Sequence, residues 1–257
     1  MTEHVQWQGE ATQAAIDFLE QDGKMIVSPT KVGYIIMTTD KAGLERKFDA
    51  KQRNRNKPGV VLCGSMEQLE ELAEMTPKIR DLYQTHWDQD VLLGCILPWK
   101  QEAREKYLGD GREELMTDRR GTSCFVIRYG TPSEQLADYF WKKEHKMIYA
   151  SSANPSGKGN RGKVAGIGDR IENATDLVIE ADDYVASIQP DKTVDTRYEQ
   201  GVMVSLVDQD GKLVKDEAES EADTKPVLIR KGLDVDKIMM NLADFYNVWE
   251  YHHGAYY

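Results

Sequence analysis

Positive charge is concentrated in one short stretch of an acidic chain. The 257 residues carry a formal net charge of −11, yet six of the twelve residues from Arg46 to Lys57 are Lys or Arg. Within this stretch, Lys51 and Arg53 follow a helical pattern and precede the apolar run that begins near Pro58. A guanidinium offers a planar fork of donors and an ammonium offers a compact charge, so the two together suit a di- or triphosphate. A solvated basic helix end, favoured by the helix dipole, is the alternative interpretation.

A second candidate stretch is "YASSANPSG", from Tyr149 to Gly157. Here a predicted strand runs into small and polar residues, among which Ser152 offers a hydroxyl and Asn154 an amide with two N–H donors. Backbone N–H groups exposed at a strand end can form an anion-binding nest. An ordinary turn rich in Ser, Asn, Pro and Gly would have the same composition. The segment "GKGNRGK" that follows lacks the spacing of a P-loop.

Three further polar residues stand at places where they could contact a ligand. Thr30 and Tyr34 place hydroxyls at a strand–turn–strand junction, "SPTKVGY". Arg128 ends an apolar strand pattern, where an unpaired charge would be costly, so it needs the carboxylate either of the protein or of a ligand. We find no nucleophile–base arrangement, catalytic carboxylate pair or metal-ligand spacing. The candidate chemistry is therefore the binding and positioning of an anion, without a catalytic side chain or a protein-bound metal.

The elements that must position these residues alternate between strands and helices, which predicts an α/β fold. Strand patterns precede the turns at Thr30 and Ser152, and a helical pattern precedes Lys51. Asp40 is a predicted N-cap, Ser65 with Gln68 and Thr131 with Glu134 are predicted capping boxes, and Thr76-Pro77 is a predicted helix start. Within the acidic loop near 208–226, "DQDG" predicts a hairpin turn and Lys215 to Lys225 a mobile segment. The pattern after residue 232 predicts a helical C-terminal extension.

Composition excludes several classes of protein. The sequence contains no apolar run near the roughly 20 residues that a membrane helix needs, and no N-terminal leader pattern. The three cysteines are an odd number in apolar contexts, which predicts reduced core residues in a cytoplasmic protein that does not contact a membrane. The net acidity disfavours a general nucleic-acid binder.

Taken in order, the candidate stretches resemble one family, the YrdC-like threonylcarbamoyl-AMP synthases. That family has P-T-D/E-T-x-Y-G-L, K-x-R, an Arg at a strand end, S-A-N-x-S-G, S-T-V-V-D and L-R-P-G. The corresponding segments here are "PTKVGYII", "KQR", "FVIRYG", "SSANPSG", "KTVD" and "LIRKG". Their order and spacing match over roughly Ala14 to Gly232.

The resemblance implies a fold, a reaction and partners. The fold is a twisted mixed β-sheet with surrounding helices and a concave central cavity over 1–232, with a helical extension over 233–257. The reaction condenses bicarbonate and an amino acid, threonine or another, with ATP and Mg²⁺, and releases pyrophosphate. The product is a carbamoyl-adenylate for tRNA modification, which makes the proteins of that modification the expected partners. Such a reaction depends on positioning and charge stabilisation, so it requires no nucleophilic side chain.

The resemblance also implies a role for each matching residue. Those expected to bind ATP are Lys51, Arg53, Ser152, Asn154 and Arg230. Those expected to bind the other substrates are Thr30 and Tyr34, which line the carbamate pocket, and Arg128, which holds the carboxylate of the amino acid.

Departures from the family pattern fall mainly on the side that faces the amino acid. Lys31 and Val32 replace an acidic residue and a Thr, Leu62 stands where a His helps to hold threonine, and Asp191 replaces a Ser. Two alternatives therefore stay open beside threonylcarbamoyl-AMP synthesis. One is a divergent enzyme that makes a carbamoyl-adenylate from another amine or from carbamoyl phosphate, and the other is a non-catalytic nucleotide- or RNA-binding module.

Overall fold

The computed structural model describes residues 1–52, 57–155, 158–217 and 223–254. The chain folds as two units. The first unit comprises Met1–Arg55 and Tyr129–Glu199, and the second unit comprises Asn56–Arg128 and Gln200–Tyr257.

Strands and helices alternate along most of the chain, as the sequence predicts. The strands are β1 (Glu3–Gln6), β2 (Ile26–Thr30), β3 (Gly33–Thr38), β4 (Val60–Leu62), β5 (Leu93–Pro98), β6 (Thr122–Ile127), β7 (Ile148–Ser152), β8 (Leu177–Glu180), β9 (Val202–Ser205), β10 (Val227–Arg230) and β11 (Glu250–Tyr251). The α-helices are α1 (Gln13–Glu20), α2 (Lys41–Lys51), α3 (Met66–Leu72), α4 (Pro77–Asp88), α5 (Gln101–Leu108), α6 (Glu113–Met116), α7 (Ser133–Glu144), α8 (Asp169–Ala174), α9 (Asp182–Ser187) and α10 (Val235–Phe245).

The first unit contains a mixed sheet in the order β1-β8-β2-β3-β7. Strand β8 is parallel to β1 and β2, whereas β3 is antiparallel to β2 and β7. Apolar side chains of β2, β3 and β8 pack with those of α8 and α9 into one buried cluster, which includes Val27, Ile36, Ile171, Val178 and Val185. The β2–β3 hairpin and the end of β7 are thereby held against a common core.

The second unit contains strands β4, β6, β5, β9, β10 and β11, again in mixed directions. Strand β6 is parallel to β4 and antiparallel to β5, and β9 is parallel to β5 and antiparallel to β10. The predicted α/β class is confirmed in both units. The cysteines Cys63, Cys95 and Cys124 are buried free thiols, as expected, and burial raises the pKa of the Cys63 and Cys95 thiols.

Two of the three predicted helix caps are confirmed, and so is the helix start predicted at Thr76-Pro77. The side chains of Asp40, Ser65 and Thr76 each accept a hydrogen bond from the backbone N–H three residues later. The capping box of Thr131 and Glu134 is wrong, because Pro132 intervenes and α7 begins at Ser133 without a side-chain cap. The Glu134 carboxylate instead accepts a hydrogen bond from the Gly130 N–H, at 3.1 Å.

The loop near 208–226 is described in part. The "DQDG" turn forms as predicted, since the Asp208 N–H donates to the Lys212 carbonyl at 2.8 Å. Lys215 pairs with Asp223 at 3.0 Å. Residues 218–222 lie outside the described residues, so the mobile-segment prediction for Lys215 to Lys225 stays a prediction.

The C-terminal region contains α10, as its helical pattern predicts. The helix packs on α4 of the same unit and buries Ile238 and Leu242. The boundary at residue 232 between the main domain and the extension stays a prediction. Over the described ranges, we find no helix with the length and apolar character needed to cross a bilayer.

A buried polar contact joins α10 to α4 and predicts a pH effect on stability. His86 is fully buried, with Nδ1 2.7 Å from the Leu82 carbonyl and Nε2 3.1 Å from Asn241 Nδ2. These partners suit the neutral ring, in which Nδ1 donates and Nε2 accepts. Burial lowers the pKa of His86, and Lys237 adds to this effect, while the bond to Leu82 opposes it.

The sign of the pH effect follows from the lowered pKa. Below about pH 6.5, the unfolded chain takes up a proton at this position that the folded chain resists, so stability falls as the pH falls. We expect His86→Gln to lose less unfolding free energy between pH 7.5 and pH 5 than the wild type, as measured by urea denaturation. His252→Gln, at an exposed histidine, should show the same pH dependence of the unfolding free energy as the wild type. Equal pH dependence in all three proteins would contradict this prediction.

Candidate active site

The two turns that contain candidate residues lie side by side in the first unit. Strands β2 and β3 form a hairpin with Thr30 opposite Gly33, and β3 pairs with β7 so that Ile35 lies opposite Ser152. Just beyond this pair, the Ala153 N–H donates to the Tyr34 carbonyl at 2.8 Å. The sheet therefore brings together residues that are more than a hundred positions apart in the sequence.

Lys51 reaches the end of β7 from helix α2. It is the last residue of α2, which ends because Gln52 adopts the left-handed conformation with φ of 48°. Its Nζ donates to the Ser152 carbonyl and lies 3.1 Å from the Ser152 hydroxyl. One turn earlier, Lys47 Nζ lies 3.4 Å from the Ala150 carbonyl. Both ammonium groups are buried, and charge in such a place acts more strongly than charge in water.

Asn154 closes the turn that follows β7. Its side chain is 8% exposed, and Nδ2 donates to the carbonyls of Pro155, at 2.8 Å, and Lys158. Its backbone N–H donates to the Ser152 carbonyl at 3.1 Å. In this structure the carboxamide thus shapes the turn that presents Ser152.

The hydroxyls of the β2–β3 hairpin are held by protein groups. Thr30 Oγ1 donates to the Gly33 carbonyl at 2.8 Å. The Tyr34 hydroxyl donates to Asp182 Oδ1 at 2.7 Å and accepts from the Ala181 N–H at 2.8 Å. Burial, and next the hydrogen bond to Asp182, raises the pKa of Tyr34 far above its usual range. The phenol is therefore a fixed neutral group, and its role toward a carbamate stays a prediction.

Asn160 joins the two turns, and the sequence analysis missed it. Its Oδ1 accepts from the N–H groups of Tyr34, at 3.3 Å, and Gly162, at 3.0 Å. Its Nδ2 donates to the carbonyls of Tyr34, at 2.8 Å, and Ala153, at 3.2 Å. A Cβ on Gly33, where φ is +142°, would lie 2.4 Å from Asn160 Oδ1. The one available signal was an Asn inside a Gly- and Lys-rich segment, which carries no information about distant partners.

Arg128 and Arg230 belong to the second unit. Arg128 follows β6 with φ of 54°. Its guanidinium lies 4.0 Å from the Trp87 ring centroid, and its Nε donates to the Trp87 carbonyl at 2.9 Å. The Asp90 carboxylate lies 3.8 Å away. Arg230 ends β10, and its Nε donates to the Gly201 carbonyl at 2.9 Å. Each guanidinium thus has partners on the protein, and its ligand role stays a prediction.

The structure brings together five of the eight candidate residues, all in the first unit: Thr30, Tyr34, Lys51, Ser152 and Asn154. Arg53 lies outside the described residues. Most of the hydroxyl and amide groups of these five residues already form hydrogen bonds to other protein groups, which limits the contacts that they can make with a ligand. Lys51 and the Ser152 hydroxyl are the pair best suited to an anion, since an ammonium and a hydroxyl are both donors.

Comparison with known proteins supports the fold. The model of the Sua5/YciO/YrdC family, described as "Telomere recombination", matches residues 19–205. A hypothetical protein of Streptococcus mutans UA159 is 64% identical, with a TM-score of 0.92 and 99% of both chains covered. No curated protein matches the sequence.

Two more distant structures show the same fold. Sua5 of P. abyssi, solved in complex with L-threonine, is 20% identical, with a TM-score of 0.61 over 98% of this chain and 62% of that chain. YciO of E. coli is 17% identical, with a TM-score of 0.61 over 91% of this chain and 97% of that chain. The YrdC-like fold expected from the motifs is confirmed.

Proposed function

Because the chain belongs to the Sua5/YciO/YrdC family, we propose that it is an ATP-dependent nucleotidyltransferase that makes a carbamoyl-adenylate. Its substrates are bicarbonate, an amino acid and ATP, and its second product is pyrophosphate. The observation that carries the proposal is the contact between Lys51 and Ser152. It joins the K-x-R and S-A-N motifs, which are distant in sequence, where the buried, positively charged Lys51 meets the exposed Ser152.

The proposed reaction requires positioning more than it requires a reactive side chain. The amine and bicarbonate condense to a carbamate with loss of water, and a carbamate oxygen then bonds to the α-phosphorus of ATP as the bond to pyrophosphate breaks. Negative charge on the phosphates opposes the approach of a second anion, so fixed donors around them lower the barrier. Lys51 and Arg53 would face the phosphates, and the Ser152 hydroxyl would donate to one of them. Asn154 and Arg230 would complete the nucleotide contacts.

Magnesium is proposed to enter with the nucleotide. Over the described residues there is no cluster of three or more His, Cys, Asp or Glu side chains that could hold a metal ion. Mg²⁺ commonly keeps several waters and binds through substrate phosphates with one or two carboxylates, so such a cluster is not required. When bound, the ion would neutralise part of the phosphate charge beside Lys51.

Pyrophosphate release tests the proposal directly. The protein is incubated with ATP, Mg²⁺ and each of a panel of amino acids, with and without bicarbonate, and pyrophosphate is measured. We expect release that depends on both bicarbonate and an amine. ATP binding without pyrophosphate release under any condition would support the non-catalytic nucleotide- or RNA-binding alternative. Lack of calorimetric binding at millimolar ATP, which corresponds to less than about 4 kcal/mol, would overturn nucleotide binding altogether.

Two positions that the family uses to hold the amino acid differ in this chain. Leu62 lies in β4 and is 3% exposed, and its aliphatic side chain offers no hydrogen bond. Asp191 is exposed and brings a negative charge where the family has a hydroxyl. These replacements favour a divergent enzyme that uses another amine, or carbamoyl phosphate, over one restricted to threonine for tRNA modification.

We therefore expect weak discrimination for the threonine hydroxyl. A pocket without a hydrogen-bond partner rejects an isostere by at most about 100-fold, whereas a hydrogen-bonding pocket reaches about 10⁴-fold or more. The ratio of kcat/KM for threonine over valine should thus stay below about 100-fold, and Asp191→Ser should raise it. Asp183→Ser, at an exposed position of α9, is the control and should leave the ratio unchanged. A low-micromolar KM for threonine with sharp rejection of valine and serine would show that the prediction is wrong.

A further inference from the structure

Arg197 is a buried cation with no partner among the described residues. It is 9% exposed, and its Nε is completely buried without a hydrogen bond. Its backbone N–H donates to the Thr193 carbonyl at 3.0 Å, which places the residue in a turn after α9. A buried guanidinium without a carboxylate or hydrogen-bond partner costs stability, so its presence calls for an explanation.

The Arg197 side chain packs beside the two turns of the candidate site. A Cβ built on Gly162 would lie 3.2 Å from Arg197 Cζ and 3.4 Å from its Nε. Gly162 is tied to Asn160, as described above, and its Cα would lie 3.4 Å from a Cβ built on Gly33. The guanidinium therefore lies against the Gly162 backbone, one layer from the hairpin that contains Thr30 and Tyr34.

Two carboxylates near this place, those of Asp182 and Asp195, have other partners. Asp195, two residues before Arg197, forms an exposed ion pair with Arg161. Asp182 accepts from the Tyr34 hydroxyl and from the Val164 N–H, the latter at 2.9 Å. Across the described ranges, no acidic side chain neutralises Arg197. The negative group that would complete this site is thus absent from the part of the chain that the structure describes.

We propose that Arg197 binds an anionic group of the ligand, either a phosphate of the nucleotide or the carboxylate of the amino acid. The planar guanidinium fork suits both oxyanions. This inference rests on the proposed function for the nature of the ligand, but not for the position of the residue. It adds to the site a cation that lies outside the K-x-R and S-A-N motifs.

The proposal predicts opposite effects on stability and binding. If Arg197 is unpaired until a ligand anion binds, Arg197→Met removes an unpaired buried charge and keeps an unbranched side chain. The melting temperature of this variant should therefore be unchanged or higher. Ligand affinity should fall by about 10- to 100-fold, the range of one charge-assisted hydrogen bond. Arg197→Lys, which keeps the charge but not the fork, should lose less. A structural arginine would instead lower the melting temperature in both variants.

The experiment measures binding and stability for five proteins. Wild type, Arg197→Met, Arg197→Lys, Lys51→Ala and the control Arg170→Met are titrated calorimetrically with ATP, pyrophosphate, threonine and valine, and their melting temperatures are compared. Arg170 is exposed in α8 of the same unit. A selective loss for ATP and pyrophosphate assigns Arg197 to phosphate, and a selective loss for the amino acids assigns it to the carboxylate.

The remaining outcomes separate this inference from the proposed function. If Lys51→Ala loses ATP affinity but both Arg197 variants bind every probe within twofold of the wild type, the role of Arg197 is refuted and the proposed function stands. Loss of binding that comes only with a lower melting temperature in both Arg197 variants also refutes it. If the wild type binds none of the probes, both proposals fail.

Discussion

Lys51→Ala is expected to weaken ATP binding by about 2–4 kcal/mol, the range found when one partner of a buried charge pair is removed. Lys51 is a buried residue at the end of α2, where its Nζ meets the Ser152 hydroxyl and carbonyl. A phosphate in this place would meet a charge that water screens only partly. Calorimetric titration with ATP, at two ionic strengths, measures the loss.

Adenosine provides the control for damage to the fold around Lys51. Because adenosine lacks phosphates, its binding should change little in Lys51→Ala if the lysine acts on phosphate. Lys41→Ala, at the exposed start of α2, should cost about 0.5 kcal/mol or less, as exposed charges do. Equal loss for ATP and adenosine would mean that the substitution damages the fold, and a loss of ATP binding that disappears at high salt would reduce the cluster to a diffuse positive patch.

For the rest of the basic stretch, the expected effects of substitutions follow from the sequence motif. Arg53 matches the second position of K-x-R, so Arg53→Ala should resemble Lys51→Ala, and Arg53→Lys should also be damaging because the fork is lost. Lys57 lies outside the K-x-R motif, so Lys57→Ala should cost about 0.5 kcal/mol or less.

Asn160→Ala is expected to lower the unfolding free energy by about 2–4 kcal/mol, because it leaves buried backbone groups without partners. Asn160 is 4% exposed and makes four hydrogen bonds to the backbone of three residues, Tyr34, Ala153 and Gly162. The Tyr34 carbonyl keeps its bond from the Ala153 N–H, which limits the loss. Denaturant unfolding of the wild type and the variant measures the difference.

The control for this prediction is Asn173→Ala, at an exposed position in α8. Surface substitutions of this kind usually change stability by less than about 0.5 kcal/mol. Similar values for the two alanine variants would mean that the hydrogen bonds of Asn160 are replaced by water at little cost.

Local signals in the sequence predicted most of the elements in the right places. Strand patterns around Thr30, Tyr34 and Ser152 are confirmed as β2, β3 and β7, because alternation and β-branched residues act over a few positions. Asp40, Ser65 and Thr76 cap helices through hydrogen bonds to residues three positions later, which is also a local effect. The Thr131 capping box failed because Pro132 changed the start of α7, and β1 and β11 went unpredicted because short exposed strands have weak patterns.

The sequence by itself determined the α/β class, the family and the motifs that contain Lys51 and Ser152. Only the tertiary structure decided which side chains act on one another. Asn160, Asp182 and Arg197 have no local signal, since their partners lie in segments that the sheet brings near after folding. Hydrogen bonding and burial depend on those distant neighbours, so the hydrogen bonds by which Asn160 joins the two turns and the burial of Arg197 are seen only in the tertiary structure.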